Sequence, residues 1–333
     1  MHLIITLTVC ILVSFLFYEL AKKLNISTTI GLIVAGILIG SSSLKDIILG
    51  PNTGFVLGLG DFALIVLMFI AGMEISWSEF CREEKEASII SVFAAIVPFL
   101  AGFLIFLMIG FSFPTAMAVG ICMSITAEAT KAKELLELKK MKTRVGSLLM
   151  GAGIIDDISG MFLFVALCYW FNGLLIMKAP LLFAGVILAF FVGIGVHKVI
   201  GRHTHKVHIL EKTMMRFVVP FFFISMGFHF SFHSLTLNIS LIVMILMIAT
   251  LGKIIGVFLT KPLLNLSWKQ LYLIGWGMNS RGAVELSIAF IAYMIGLIDN
   301  IIYSGLVIMT LVTTLIFPFV IRKMIKNNPR IMN

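Results

Sequence analysis

Apolar runs of roughly 17 to 25 residues recur along the chain between short polar breaks, and each is long enough to cross a hydrocarbon core of about 30 Å as a helix. They fall near 3–21, 28–43, 54–74, 88–110, 114–136, 145–171, 179–200, 213–230, 236–261, 270–297 and 301–325. The runs are continuously apolar instead of alternating with period two, which selects helices over the strands of a barrel. With 60% hydrophobic and 12% charged residues and a mean hydropathy of +1.11, too little polar surface exists to coat a water-soluble globule. The expectation is an all-α integral membrane protein, a single transmembrane domain over residues 1–333 with about eleven transmembrane helices and the lipid bilayer as its solvent. The first run has no basic segment before it, and Lys22 and Lys23 follow it, so it reads as a retained reverse anchor and not a cleavable signal.

A net charge of +9 could suggest a nucleic-acid partner, but the positions of the charges reject one. Outside the spans, only Lys45 and Lys178 fall on the side of the amino terminus. Lys22/Lys23, Arg82/Lys85, Lys131 to Arg144, Lys198 to Arg216, Lys261/Lys269 and Arg322 to Arg330 all fall opposite, which by the positive-inside rule is the cytoplasm. The cell membrane is thus the expected location, with the amino terminus outside, the carboxyl terminus inside and an odd number of spans. Cys10, Cys81, Cys122 and Cys168 are dispersed without a CxxC, so neither a disulfide nor a metal site is expected. His203, His205 and His208 read as part of a solvated basic loop. Lacking a nucleotide-binding motif, a soluble domain and a catalytic triad, the chain is not expected to be an enzyme or to need a cofactor.

An ionised side chain at mid-bilayer costs at least about 2.5 to 3.5 kcal/mol, so ionisable residues inside the spans are functional candidates. They are Glu128, the pair Asp156 and Asp157, Lys253 and Arg281, with Glu285 one turn beyond. A rise of about 1.5 Å per residue puts Asp156 and Arg281 about 16 Å, Thr126 about 18 Å and Lys253 about 12 Å from their span ends, converging on the middle of the membrane. Adjacent helical positions point about 100° apart, so one aspartate can pair with a fixed charge while the other meets a mobile cation. The small residues of Gly151-Ala-Gly-Ile-Ile-Asp-Asp-Ile-Ser-Gly160 let neighbouring helices come close to both.

Two spans look interrupted. Span five carries Ser124-Ile-Thr126-Ala-Glu128 at its centre, and span ten carries Gly275-Trp-Gly-Met-Asn279-Ser-Arg281-Gly282. Half-helices that meet inside a membrane aim dipole ends and unpaired carbonyls at an ion. Spans four to six and nine to eleven repeat the order helix, interrupted helix, helix with opposite orientation, an inverted-topology repeat whose two interrupted helices cross at mid-membrane.

Ser124-Ile-Thr-Ala127, Gly153-Ile-Ile-Asp156-Asp157, Pro220-Phe-Phe-Phe-Ile-Ser-Met-Gly227, Lys253 with Gly256, and Asn279-Ser-Arg-Gly-Ala-Val-Glu285-Leu stand in this order. The set resembles the monovalent cation:proton antiporter-2 family of the cation:proton antiporter superfamily. The resemblance implies Asp157 as the carrier of cation and proton, with Asp156 paired to Lys253. Thr126 and Ser124 join the two acids as candidate ion- or proton-binding residues, Lys253 and Arg281 compensate charge, and Glu128, Glu285 and Asn279 are candidates for the ion route. It also implies an elevator in which a core bundle, approximately 88–171 and 236–325, slides against a scaffold, approximately 1–74 and 179–230, through which a homodimer could form. The expected partners are a monovalent cation, Na+ first and K+ or Li+ as alternatives, and protons. Competing functions are a sodium-coupled organic-anion symporter of the same fold and a non-transporting sensor or channel-like relic. The chain departs from the family in two places. Only Gly201 to Lys212 separates span seven from the Pro-Phe-Phe motif, where the family usually has two further helices. Glu128, with Lys131 and Lys133 behind it, occupies a position where relatives more often carry apolar or small residues; it could pair with Lys131 at i, i+3.

Overall fold

A computed structural model describes residues 2–24, 26–41, 44–74, 85–141, 143–170, 180–200, 209 and 213–332. Among these residues every regular element is a helix. In chain order they are α1 (Leu3–Lys23), α2 (Thr28–Gly40), α3 (Thr53–Glu74), α4 (Lys85–Met108) and α5 (Phe113–Ser124). There follow α6 (Glu128–Glu137), α7 (Arg144–Trp170), α8 (Pro180–Ile200) and α9 (Val219–Phe228). The last are α10 (Ile239–Leu259), α11 (Trp268–Gly277), α12 (Ala283–Met294) and α13 (Asn300–Asn327), with short turns of helix between some of them. Six stretches of the described residues are long and apolar enough to cross a membrane: Leu3–Lys23, Gly50–Met73, Lys85–Met108, Arg144–Leu167, Ile239–Leu259 and Asn300–Asn327. Their outer faces carry leucine, isoleucine and phenylalanine, among them Leu16, Leu104 and Phe319, as surfaces solvated by lipid do. His203, His205, His208 and most of the loop Gly201 to Lys212 lie outside the described residues, as do the side chains of Glu128 and Cys168 and all of Cys81.

The chain divides into two compact units, Met1–Ser76 with Ala179–Ser234, and Trp77–Lys178 with Leu235–Asn333. In the first, α3 packs against α8 and α9, and α9 packs against α2, which in turn meets α1. The contact between α2 and α9 is backbone against backbone. A Cβ on Gly36 would fall on the Phe223 carbonyl, and one on Gly227 would fall on Gly36 itself, so the glycine that ends the Pro-Phe-Phe run is set by packing distance.

In the second unit, α4 packs against α5, α7 and α10, α10 against α11 and α13, and α7 against α5 and α6. Both runs that the sequence shows as interrupted are broken. α5 stops at Ser124 and α6 begins at Glu128; α11 stops at Gly277 and α12 begins at Ala283. Each half therefore repeats the order helix, broken helix, helix. A buried apolar layer containing Ala94, Leu149, Val257, Ile274, Met278 and Phe317 fixes the packing of α4, α7, α10, α11 and α13. Burial of such side chains supplies about 1.5 to 3 kcal/mol each relative to exposure in water, although between helices in lipid the gain is close packing.

Candidate functional site

The site is built from what a broken helix leaves behind. α5 starts cleanly: Ser112 accepts from the Thr115 amide at 3.4 Å and Pro114 sits in the first turn. At its other end Ile125 turns to an extended conformation, which leaves the last carbonyls of the helix without intrahelical partners. α11 is opened by a capping box, Ser267 with Gln270, and is followed at its carboxyl end by the cap residue Met278. The two extended segments hydrogen-bond to each other: the Ala127 amide donates to the Ser280 carbonyl at 2.8 Å, and Ser280 Oγ donates to the Ala127 carbonyl at 3.0 Å. The breaks thus cross at Ala127 and Ser280.

Two buried cations satisfy the exposed carbonyl end of α5. Arg281 is completely buried; its Nη1 donates to the carbonyls of Cys122 at 3.0 Å and Ile125 at 2.5 Å, and its Nη2 to that of Met123 at 2.7 Å. Lys253, also completely buried, donates to the Ser124 carbonyl. A helix carboxyl end carries about half a negative charge, so this placement is favourable for both cations. Arg281 has a second partner in the buried Glu285, whose Oε2 lies 3.7 Å from Nη1, and Thr314 donates to the Arg281 carbonyl at 2.9 Å.

The carboxylates come from α7. Lys253 Nζ lies 2.8 Å from Asp156 Oδ2 and 3.0 Å from Thr126 Oγ1, and Thr126 donates to the same Oδ2. Asp156 is 1% exposed and its other oxygen, Oδ1, is buried without a hydrogen-bond partner among the described residues. Asp157 is 7% exposed, the less enclosed of the two. Gly160 lets α7 approach the break, since a Cβ there would strike the side chain of Ile125. Asn279 is buried, donates from Nδ2 to the carbonyls of Gly275 at 3.0 Å and Thr250 at 3.2 Å, and so caps α11; its Oδ1 has no hydrogen-bond partner among the described residues.

The structure therefore brings Asp156, Thr126, Lys253 and the Ser124 carbonyl into direct contact, with Arg281 on the same helix end and Glu285 beside Arg281. The Ser124 hydroxyl is turned away, donating to the Ile121 carbonyl at 2.8 Å. Glu128 opens α6, and its side chain lies outside the described residues. Sequence reasoning missed three features: the backbone partners of Arg281, the burial of Lys131, and the ion pair that holds Glu134 to Arg322 with N···O of 2.6 Å. Only the last had a signal, a carboxylate within a charged run facing a basic carboxyl-terminal segment.

Two broken helices crossing around buried acids and cations, within a helical bundle rich in apolar spans, define a protein of the secondary-transporter class. Residues 8–210 and 181–326 match the family described as sodium/hydrogen exchanger, transmembrane, and the chain belongs to that family. It is 26% identical to the Na(+)/H(+)-K(+) antiporter GerN of Bacillus cereus over 353 aligned positions, covering 90% of each chain. It is 25% identical to a Na(+)/H(+) antiporter of Enterococcus hirae, covering 91% of this chain and 93% of that one. The fold is similar to that of the sodium proton antiporter MjNhaP1 of Methanocaldococcus jannaschii at pH 8, with a TM-score of 0.65, 14% identity, and 96% and 95% of the two chains covered.

Proposed function

We propose that this protein is a secondary active antiporter that exchanges a monovalent cation for protons across the cell membrane, with Na+ the first candidate and K+ and Li+ the alternatives. The observation that carries the reading is the Asp156–Lys253 pair, tied by Thr126 to the broken helix, with Asp157 next to it on α7. Asp157 is the carrier: ionised, it offers a carboxylate to a cation; protonated, it releases the cation. The nearby hydroxyl and carbonyl oxygens suit hard monovalent ions. Asp156 and Lys253 hold the opposing fixed charges, and Arg281 with Glu285 anchors the crossover. Glu128 and Asn279 border the ion route. In this reading about eleven spans cross the bilayer with the amino terminus outside. The bundle of residues 88–171 and 236–325 is the moving core of an elevator, and residues 1–74 and 179–230 are its scaffold and the seat of a homodimer. Two relatives along most of their length are named Na(+)/H(+) antiporters, which supports exchange over organic-anion symport.

The test is cation-driven proton movement in proteoliposomes, run as a series over Na+, K+ and Li+. Asp157→Asn preserves shape but can neither release a proton nor neutralise a cation, so it is expected to insert normally and to abolish exchange. Full transport by that variant would remove the assignment of the carrier, and a requirement for an organic anion would remove the assignment of antiport.

A further inference from the structure

At the opposite end of α11 from the crossover, within the second unit, the bundle leaves a cavity of about 400 Å³. Trp268, Lys269 and Tyr272 of α11 form one wall; Asn327, Asn328 and Ile331, from the end of α13 and the turn Pro329–Met332, form the other. Its size lies within the range of about 300 to 1,000 Å³ usual for ligand pockets. The walls are fixed by their neighbours. The Ser267 and Gln270 capping box starts α11 so that Trp268 and Tyr272, four residues apart, share one face. Phe258 of α10 meets the Trp268 ring edge-on with centroids 5.5 Å apart, and its centroid lies 6.3 Å from that of Tyr272. Ile331 and Met332 are buried in the apolar layer of the same unit, which folds the turn back against α11 and α13.

The charge of this region has one sign. Residues 257–280 and 300–333, which supply both walls, contain no aspartate or glutamate, and they carry Lys261, Lys269, Arg322, Lys323, Lys326 and Arg330. Glu134 and Glu137, which α6 brings to α13, are held by Arg322 with N···O of 2.6 and 2.7 Å. α11 begins and α13 ends at the cavity, so their dipoles oppose each other there and the side chains decide the sign. An anion is therefore favoured, but a fully hydrated one would leave tryptophan, tyrosine and isoleucine walls against water. Trp268 and Tyr272 are 58% and 41% exposed, the amphipathic rings expected where spans leave the hydrocarbon, and Leu259 and Leu263 nearby are exposed as well. We propose that the cavity is a binding site for an anionic phospholipid. Its phosphate meets Lys269 and the side-chain amides of Asn327 and Asn328, and its glycerol and upper chains lie along Trp268 and Tyr272. In the proposed orientation this end faces the cytoplasmic leaflet, the anionic one, where each basic residue near the surface adds about fivefold in affinity. The site does not depend on which acid carries the cation.

The experiment follows tryptophan fluorescence of the protein in phosphatidylcholine vesicles to which chain-brominated phosphatidylglycerol or chain-brominated phosphatidylcholine is added, since bromine quenches the indoles it approaches. The phosphatidylglycerol is expected to quench more than the phosphatidylcholine, and Trp268→Phe to remove the excess while leaving the quenching of the other tryptophans. Should Trp268→Phe prevent insertion, Trp268→Tyr carries the same expectation. Lys269→Gln is expected to raise the half-saturating phosphatidylglycerol about fivefold, and Lys269→Arg to restore it. Lys323→Gln, exposed on α13 but outside the cavity walls, is expected to change it less. Equal quenching by the two lipids, or an excess that survives loss of the Trp268 indole, would overturn the proposal. So would equal effects of Lys269→Gln and Lys323→Gln, which would mean diffuse attraction to a basic surface, and so would displacement by inorganic phosphate at constant ionic strength, which would assign a soluble anion. Asp157→Asn is expected to bind the lipid as the wild type does, so the outcome here and the outcome for the carrier assignment are read separately.

Discussion

Asp156→Asn isolates the energetic core of the site. In the native protein the Lys253 ammonium has three acceptors, Asp156 Oδ2 at 2.8 Å, Thr126 Oγ1 at 3.0 Å and the Ser124 carbonyl, and neither charged side chain reaches solvent. Asparagine keeps the volume but removes the compensating charge, leaving a buried ammonium on neutral oxygens. Breaking a buried pair from one side costs about 3 to 5 kcal/mol, because the survivor stays desolvated. Lys253→Met is expected to cost a similar amount from the other side, with Asp156 left to the Thr126 hydroxyl. The double variant removes both charges and should therefore cost less than the two singles together by about 2 to 3 kcal/mol, the upper part of the roughly 0.5 to 3 kcal/mol coupling range for residues in one network, as fits a fully buried ion pair. At roughly 2 °C per kcal/mol for a chain of this size, each single variant lowers the apparent melting temperature by about 6 to 10 °C, and the double variant falls short of the added shifts by about 4 to 6 °C. Thermal unfolding in detergent, followed by loss of the monodisperse peak on gel filtration, measures all four proteins. Additive shifts would refute the reasoning, since they would mean that Lys253 is stabilised by the α5 carbonyl end alone.

Glu128→Gln tests the carboxylate that opens α6: if it borders the ion route, the apparent cation KM rises severalfold with the maximal rate retained, and an unchanged KM assigns Glu128 to Lys131, three residues on. The uneven distribution of lysine and arginine predicts a cytoplasmic carboxyl terminus. A reporter fused after residue 333 that is active only outside the cytoplasm would refute that orientation.

Hydropathy made most of this fold legible, because a span must be apolar for its whole length and a polar centre such as Ser124 to Glu128 or Asn279 to Gly282 then stands out as a break. The buried charges were legible for the same reason: Asp156, Lys253 and Arg281 are costly where they stand, and they need partners. What they pair with was not legible, since a broken helix creates its acceptors from backbone, and carbonyls leave no mark in a sequence. Arg281 read as a partner for acids, yet three of its bonds go to the carbonyls of Cys122, Met123 and Ile125. Ser124 read as a candidate ion- or proton-binding residue; its hydroxyl bonds within its own helix, and its carbonyl meets Lys253. Lys131 was hidden for a different reason: it begins a charged run that reads as a cytoplasmic loop, and its burial follows only once α6 is packed on α7 with α11 close by. The consequence for mechanism is that Lys253 has two kinds of anchor, a carboxylate that can change its charge and a helix end that cannot. Under the proposed antiport, protonation or cation capture at the aspartates would weaken one anchor while the other keeps the ammonium in place. A lysine held in this way can answer the occupancy of the acids without leaving the crossover, which a lysine held by Asp156 alone could not do.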